Sequence, residues 1–265
     1  MKYEDIFAAI SRRYGTFTRM EQSIADYVLE HGKDVLSMSI STLAQECNVV
    51  DSTVFRFCRT LGVSGYRDFR TALAVSLCAR EQVSEPAVAD SDPISAQIRH
   101  IYDSCINALR ETYQLLQPGQ MDELVRRLML ADRILVFGAG KSMVSMFGAY
   151  RQLLLAMPKV HCALNAHEQR RLCATVTSKD AVILFVQNDS PASLTDLARL
   201  LRGKGCYLIL ISPLSKLSLS VLADNTLLCG GFDGAGTAVS AQAFLIELIY
   251  RLYLQRLENA RRALM

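Results

Sequence analysis

The chain has 265 residues, and 51% of them are hydrophobic, which excludes a disordered polypeptide and provides for a large core. The 29 basic and 26 acidic side chains leave a net charge of +3, so the overall charge neither indicates nor excludes a nucleic-acid partner. The eight cysteines form no C-x-x-C pair, so we expect reduced thiols and no metal site. No apolar stretch reaches the roughly 18 residues of a membrane span. We therefore expect a cytoplasmic protein without a cofactor.

The N-terminal part of the chain has the pattern of several short helices, which predicts an all-α domain over residues 1–80. Thr18-Arg19-Met20-Glu21 is a capping box that starts one of these helices, and Gly32 is expected to end it. The composition then shifts to Ser, Ala, Asp and Pro, which is typical of a linker over residues 81–93. We assign the rest of the chain, residues 94–265, to a second domain.

Residues 40–61 have the spacing of two helices joined by a tight turn. Ser39 can cap the first helix, and Ala44 is small where the two helices would cross. Asn48 tolerates the left-handed backbone that such a turn requires, and a second helix starts near Asp51. The apolar positions that face the core are Leu43, Cys47, Val49, Val54, Phe57, Cys58 and Leu61. This pattern predicts a helix-turn-helix.

The exposed face of the second helix carries side chains suited to DNA. Its first turns would reach base edges in the major groove, and residues 52–80 contain five arginines and one aspartate. Arginine suits both phosphate contacts and guanine readout. An alternative is a solvated basic face on an ordinary helical bundle, but the turn geometry favours DNA. The predicted DNA-contacting residues are Ser52, Thr53, Arg56, Arg59, Tyr66, Arg67 and Arg70.

The second half of the chain predicts one long helix followed by an α/β fold. Apolar residues recur at three- and four-residue steps from Ile94 to Leu116, and Pro118-Gly119 stops this helix. Short apolar runs then alternate with helix-length segments, which implies a parallel sheet flanked by helices on both faces. The predicted strands are Arg133–Phe137, Val160–Ala163, Ala181–Val186, Cys206–Ile211 and Thr226–Cys229, and Gly236–Arg262 forms the last helix.

A glycine loop, Gly138-Ala139-Gly140-Lys141-Ser142, leads from the first predicted strand into a helix. Glycines there let a ligand approach the backbone, and the helix offers unpaired N–H groups to an anion. The alternative is simply a tight strand-to-helix turn. Met143 replaces the third glycine of a dinucleotide-binding loop, which argues against that kind of site. We predict ligand contacts by Gly138, Gly140, Lys141 and Ser142.

Both halves of the chain resemble domains of a known family. Ser39-Ile40-x-x-Leu43-Ala44, Ser52-Thr53-Val54-x-Arg56-Phe57-Cys58-Arg59-x-Leu61-Gly62 and Gly65-Tyr66-x-Asp68-Phe69 are similar to the N-terminal domain of RpiR-type transcription regulators. Residues 120–230 resemble a sugar isomerase (SIS) domain. The resemblance implies a regulator that senses sugar phosphates and related sugars. Val50 replaces the serine that usually precedes the recognition helix, so the N-cap is expected to shift to Asp51.

The second phosphate loop of SIS domains, S-x-S-G-x-T, aligns with Val186-Gln187-Asn188-Asp189-Ser190-Pro191, which retains none of the defining residues. Ser190 with Pro191 behind it predicts a helix N-cap, so that helix would satisfy its own N–H groups. Asp189 adds a charge that repels a phosphate dianion. We therefore expect a sugar phosphate to be held weakly, differently or not at all. Gln187, Asn188 and Asp189 could instead hydrogen-bond the hydroxyls of an uncharged sugar or an amine, and Ser190 is the fourth predicted ligand contact of this loop.

Glu168, beside His167, lies in a segment that contributes near the ligand in SIS proteins, and it is the last predicted ligand contact; the alternative is an exposed helix turn.

A ligand-responsive regulator is the favoured function. A sugar-phosphate isomerase with a DNA-binding domain would need an acid/base pair and a firm phosphate grip. A third function is a regulator whose SIS domain only dimerises. We expect operator DNA and a sugar or sugar-phosphate effector as partners, no membrane, no catalysis, and a homodimer or homotetramer.

Overall fold

A computed structural model describes residues 5–81, 92–187, 190–230 and 235–263. The chain divides into two compact units, Met1–Asp103 and Ser104–Met265. This division falls inside helix α6 (Pro93–Leu115). Most of the predicted linker, residues 82–91, lies outside the described residues.

The first unit is helical, as the sequence predicts. Thr18 and Glu21 form the expected capping box: the Glu21 N–H donates to Thr18 Oγ1 at 3.3 Å, and the Thr18 N–H donates to Glu21 Oε2 at 2.9 Å. These bonds fix the start of the second helix. The helices that precede α6 are α1 (Ile6–Arg13), α2 (Arg19–Val35), α3 (Ile40–Glu46), α4 (Asp51–Thr60) and α5 (Tyr66–Glu81), with a 3-10 turn at Tyr14–Thr16.

The predicted end of α2 at Gly32 is wrong, because the helix continues to Val35. The backbone leaves helical geometry at His31, with φ −119° and ψ 29°, and then resumes it. A Cβ at position 32 would lie 3.4 Å from the ring of Phe7. Gly32 thus packs against Phe7 of α1 and does not terminate α2.

Aromatic rings fix α4 within the first unit. The ring of Phe57 on α4 meets Phe17 edge-on at 5.3 Å and Phe69 of α5 at 6.0 Å between centroids. All three rings are buried. Such pairs add about 0.5–1.5 kcal/mol beyond the burial of their area. The opposite face of α4 is thereby held outward.

The second unit contains the predicted α/β fold. The long helix ends at Leu115, and Pro118 occupies the first turn of the next helix, so the predicted stop is confirmed. No helix in the described ranges is long and apolar enough to cross a membrane. The strands are β1 (Ile134–Gly138), β2 (Val160–Cys162), β3 (Ala181–Phe185), β4 (Tyr207–Pro213) and β5 (Asn225–Cys229), and the further helices are α7 (Pro118–Leu130), α8 (Ser142–Leu154), α9 (Ala166–Ala174), α10 (Ala192–Lys204) and α11 (Ala235–Ala263), with a 3-10 segment at Leu214–Leu222.

The strands form one parallel sheet in the order β2-β1-β3-β4-β5, which confirms the predicted sheet. Successive side chains of a strand point to opposite faces, so each strand supplies two cores. Ile134 and Val136 lie in one core, and Leu135 and Phe137 lie in the other. Helices therefore cover both faces, as the continuous apolar runs predict.

The strand order reverses beside β1, between the loops that follow β1 and β3. The chain runs from β1 outward to β2 and then returns to β3 on the other side of β1. Gly138 pairs in register with Phe185, so the loops that follow β1 and β3 start at the same level. In open α/β sheets, ligands bind in the crevice between two such loops.

Candidate functional site

The turn between α3 and α4 has the geometry that the sequence predicts. Asn48 adopts the left-handed conformation with φ 53°, and the Val49 N–H donates to the Ala44 carbonyl at 2.8 Å. Ser39 caps α3 by accepting the Thr42 N–H at 3.0 Å. Two helices joined by this tight turn form a helix-turn-helix, with α4 as its second helix.

The expected shift of the α4 N-cap to Asp51 is wrong. Val50 is the N-cap, with extended backbone and no side-chain hydrogen bond, and Asp51 is already the first helical residue. The Asp51 carboxylate instead accepts the Ser41 hydroxyl at 2.6 Å, which links α3 to the start of α4. A carboxylate in the first turn also suits the positive end of the helix dipole.

One predicted DNA-contacting residue lies on the wrong face of α4. Thr53 is only 8% exposed, because it falls beside Val54 and one turn before Phe57 on the buried side. Thr53 was predicted to face the groove, and its burial makes that prediction wrong. The neighbouring candidates differ in exposure: Ser52, Arg56, Arg59 and Arg67 are exposed, and Arg70 is half-buried.

Tyr66 is held inside the first unit. Its hydroxyl donates to the Met38 carbonyl at 3.1 Å, and its ring stacks on Phe69 with centroids 6.1 Å apart. Burial raises the pKa of the Tyr66 hydroxyl above its ordinary value. The hydroxyl that was expected to meet DNA is thus bonded to the main chain that precedes α3.

Arg56 has a partner that the sequence did not indicate. Its Nε lies 3.5 Å from Oε1 of Glu21, whose side chain is 6% exposed, while the Arg56 side chain is 62% exposed. Burial by itself would raise the pKa of Glu21, but the hydrogen bonds from Thr18 and the charge of Arg56 outweigh it and hold that pKa below its ordinary value. The capping box of α2 therefore also orients an arginine on α4.

Replacing Glu21 with glutamine should destabilise the protein by about 1–2 kcal/mol at neutral pH, since the capping box survives but the charge that faces Arg56 is lost. The folded pKa of Glu21 is lowered, so its charge stabilises the fold above the unfolded pKa and stops doing so as the pH falls through the folded value. Urea unfolding should be measured for wild type and E21Q at about pH 7 and about pH 4. The difference in the free energy of unfolding between the two proteins should be smaller at the lower pH. A difference that does not change with pH would contradict the ion pair.

The loops after β1 and β3 meet at the reversal of the strand order. Ser142, at the start of α8, is fully buried, and its hydroxyl lies 3.2 Å from the hydroxyl of Ser190. Gly140 has φ 60°, which favours glycine, and a Cβ at Gly138 would lie 3.1 Å from the main-chain oxygen of Ser142. Lys141 is the exposed N-cap residue of α8. We call this place the β1–β3 cleft.

The predicted cap of α10 is wrong. Pro191, and not Ser190, is the N-cap, and no side chain of the described residues caps this helix. The Ser190 hydroxyl points back and accepts the Gln187 N–H at 2.8 Å, because the loop turns on itself through a bond from the Ser190 N–H to the Gln187 carbonyl. Ser190 therefore does not satisfy the first N–H groups of α10, contrary to the prediction. Asn188 and Asp189 lie outside the described residues.

Glu168 is an exposed residue in the first turn of α9. Its carboxylate accepts the Leu164 N–H at 3.0 Å, and its own N–H donates to Asn165 Oδ1 at 2.9 Å. These bonds favour the alternative of a surface helix turn. The next residue, Gln169, is 2% exposed and donates to the Gly138 carbonyl at 2.7 Å, so it ties α9 to the cleft. Sequence reasoning missed Gln169, although its four-residue spacing from buried Cys173 marks it as inward-facing.

Comparison with known proteins identifies both domains. Residues 4–80 match the helix-turn-helix domain of the rpiR family, and residues 127–232 match the SIS domain. The chain is 28% identical to an uncharacterised HTH-type transcriptional regulator of Haemophilus influenzae, over 97% of this chain and 93% of the relative. It is 27% identical to the HTH-type transcriptional regulator HexR of Pseudomonas aeruginosa, over 81% of this chain and 77% of HexR.

A solved structure has the same fold over nearly the whole chain. The NanR protein of Vibrio vulnificus, complexed with ManNAc-6P, matches with a TM-score of 0.60 and 21% identity, over 97% of this chain and 94% of NanR. At that identity the likeness shows the fold alone. With both domains matched in this order, the chain joins an N-terminal helix-turn-helix domain of the rpiR family to a C-terminal SIS domain, and its relatives are HTH-type transcriptional regulators.

Proposed function

We propose that this regulator binds double-stranded operator DNA through α4, and that a sugar-derived effector in the β1–β3 cleft controls that binding. The observation that carries the DNA proposal is the left-handed turn at Asn48, which joins α3 to α4. Because the rest of α4 packs on aromatic rings, Ser52, Arg56 and Arg59 remain outward. A solvated face of an ordinary bundle does not require this turn.

The exposed arginines are proposed to have two roles. Arg56 lies in the first turns of α4, where a recognition helix contacts base edges. Arg67 and Arg70 on α5 suit phosphates, which fix the position of the protein on DNA without reading sequence. Arg59 lies 5.9 Å from the ring centroid of Phe55, a contact that restrains its guanidinium.

The effector proposal rests on the convergence of the two loops. The start of α8 and the start of α10 both follow strands that flank the reversal, and a helix N-terminus favours the anionic or acceptor end of a ligand. Ser142 and Ser190 place two hydroxyls side by side there. NanR, which shares the fold, was solved with a sugar phosphate bound. We propose a sugar or sugar phosphate as the effector of this chain.

Thermal unfolding of the full chain with a panel of compounds tests the effector proposal. The panel comprises N-acetylmannosamine 6-phosphate, glucose 6-phosphate, the two parent sugars and inorganic phosphate. A ligand at about 100 times its Kd should stabilise the protein by about 2.7 kcal/mol. The same compound should change the affinity for operator DNA. A panel without any stabilising compound would favour the alternative in which the SIS domain only dimerises.

An isomerase reaction has less support than regulation. It requires a carboxylate or imidazole that moves a substrate proton, and Glu168 was the candidate base. That carboxylate accepts the Leu164 N–H on an exposed helix turn. We therefore propose a binding cleft without a catalytic role.

The domain boundaries remain part of the proposal. We assign residues 1–80 to DNA binding, residues 81–93 to a linker, and residues 94–265 to effector binding and dimerisation. Limited proteolysis should cut first within 81–93, because segments between domains that are rich in small and polar residues are the preferred sites of cleavage.

We expect the protein to be at least a dimer, with α6 as one contact. The first half of α6 exposes an apolar stripe: Ile94 is 69% exposed, Ile98 64% and Ile101 53%. Side chains at these steps share one helix face, and a second copy would remove that face from water. Light scattering at micromolar concentration should report a dimer or tetramer, and Ile98→Asp should weaken it. A wild-type monomer would contradict this expectation.

A further inference from the structure

A buried polar cluster lies behind the β1–β3 cleft. It consists of Gln187, directly after β3, Gln242 of α11 and Ser145 of α8, which are 2%, 0% and 4% exposed. Buried polar side chains are costly unless each donor and acceptor has a partner. The hydrogen bonds of this cluster can therefore be followed atom by atom.

The orientation of the Gln242 amide is fixed by the main chain. Its Nε2 donates to the Val186 carbonyl at 3.2 Å, and a carbonyl can only accept. The opposite amide orientation would place two acceptors against each other. Gln242 Oε1 then accepts the Ser145 hydroxyl at 2.5 Å and Nε2 of Gln187 at 3.3 Å.

This chain of bonds determines the orientation of Gln187 as well. With Nε2 turned toward Gln242, Oε1 of Gln187 must face away from it. That oxygen is buried and has no hydrogen-bond partner within the described part of the chain. The same residue donates its main-chain N–H to Ser190, whose hydroxyl meets Ser142 in the cleft. The unpaired acceptor thus belongs to a residue of the cleft itself.

We propose that Gln187 Oε1 accepts a hydrogen bond from a hydroxyl or N–H group of the effector, and so selects ligands that carry a donor at that point. Gln242 and Ser145 act as positioning residues, since they hold the amide in the orientation that presents only an acceptor. This inference rests on the proposed effector cleft. It also assigns polarity within the cleft: a carboxylate or a phosphate dianion, which can only accept hydrogen bonds, cannot occupy the position facing Gln187.

The expected loss of affinity follows from the cost of leaving one buried acceptor without a hydrogen bond. An analogue that lacks the donor leaves Gln187 Oε1 unsatisfied, as it is in the free protein. Such an analogue should bind about 10- to 100-fold more weakly than the parent compound. Inorganic sulfate, which carries no proton at neutral pH and therefore no donor, should bind equally well whether or not the acceptor is present.

The first test uses the free protein and two matched substitutions. Gln187→Met keeps the side-chain length and removes the unsatisfied oxygen, so the variant should melt at or above the wild-type temperature. Gln242→Met removes the hydrogen-bond partner of the Val186 carbonyl and of the Ser145 hydroxyl, so that variant should melt at a lower temperature than wild type. If Gln187→Met melts as low as Gln242→Met, Gln187 is a structural residue and the inference is overturned.

The second test uses calorimetry with glucose 6-phosphate or N-acetylmannosamine 6-phosphate, whichever binds wild type, and with monodeoxy analogues of that compound. One deoxy position should cost about 10- to 100-fold in wild type and almost nothing in Gln187→Met, because the same bond is already absent. Equal losses in both proteins at every position would overturn the inference. If no compound binds wild type, the proposed effector fails, and the melting comparison still decides the role of Gln187.

Discussion

Replacing Arg56 with alanine should lower the affinity for operator DNA by about 1–3 kcal/mol and relax the preference for operator over random DNA. The reason is its position in the first turns of α4, on the exposed face. Gel shifts on both DNAs at fixed salt measure the two affinities. An unchanged ratio between operator and random DNA would contradict base readout by Arg56.

The contact between Arg56 and Glu21 complicates this substitution. Arg56→Ala also leaves the buried Glu21 carboxylate without its cationic partner, so part of any loss could arise from a weakened fold. Two further variants separate these causes. Arg56→Lys retains a positive charge near Glu21 but loses the planar fork of donors that matches guanine, so it should fold normally and still lose part of the base preference. Glu21→Gln removes the ion pair and keeps the guanidinium, so it should lose stability more than base preference.

Arg70→Ala provides a contrast on α5. If Arg70 contacts a phosphate, operator and random DNA should weaken alike, and the slope of log affinity against log salt should become shallower by about 1. A selective loss of operator binding would instead assign Arg70 to base readout. Together with the Arg56 variants, the salt series distinguishes the residues that read sequence from those that fix position.

The turn and the sheet were predictable because their requirements are local. A left-handed position needs a residue such as Asn48, and the apolar run Ala181–Phe185 needs burial on both faces. Thr53 was misplaced because a polar residue was assumed to face solvent, whereas its helical position beside Val54 places it inward. The period of the helix outweighed the polarity of the side chain.

Contacts between distant segments were not predictable from local patterns. Gln242 reaches the Val186 carbonyl, and Gln169 reaches the Gly138 carbonyl, only because the parallel sheet brings their elements together. The error at Ser190 has a different origin. Its hydroxyl can accept an N–H either from the following helix or from Gln187 before it, and the bent loop favours the latter. Both hydrogen bonds are locally possible, and the sequence alone does not show which of them forms.

The corrected cap changes what is expected of phosphate binding. Two features of the altered loop opposed a phosphate: a helix capped by Ser190 and the charge of Asp189. Ser190 does not cap α10, so only the charge remains. Asp189→Asn should therefore raise the affinity for inorganic phosphate and for glucose 6-phosphate, by about tenfold or more, because a like charge no longer repels the dianion.

A second variant adds back features of the SIS pattern without disturbing the core. Val186 is 1% exposed in the core, so a serine there would bury a hydroxyl among apolar side chains. Asp189→Gly combined with Pro191→Thr avoids this cost. The glycine frees the backbone to fold around an anion, and the threonine hydroxyl adds a donor at the start of α10, so this variant should exceed Asp189→Asn in phosphate affinity.

Calorimetry on the unmodified chain, the two Asp189 variants and Lys141→Ala decides between two kinds of sensor. If the charge of Asp189 excludes phosphate, the unmodified chain binds glucose 6-phosphate weakly and both Asp189 variants gain affinity. If Lys141 and the start of α8 already hold phosphate, the unmodified chain binds at micromolar concentration and Lys141→Ala abolishes that binding. In that second case Asp189→Asn should change little, and the chain is a sensor of phosphorylated sugars despite its altered loop.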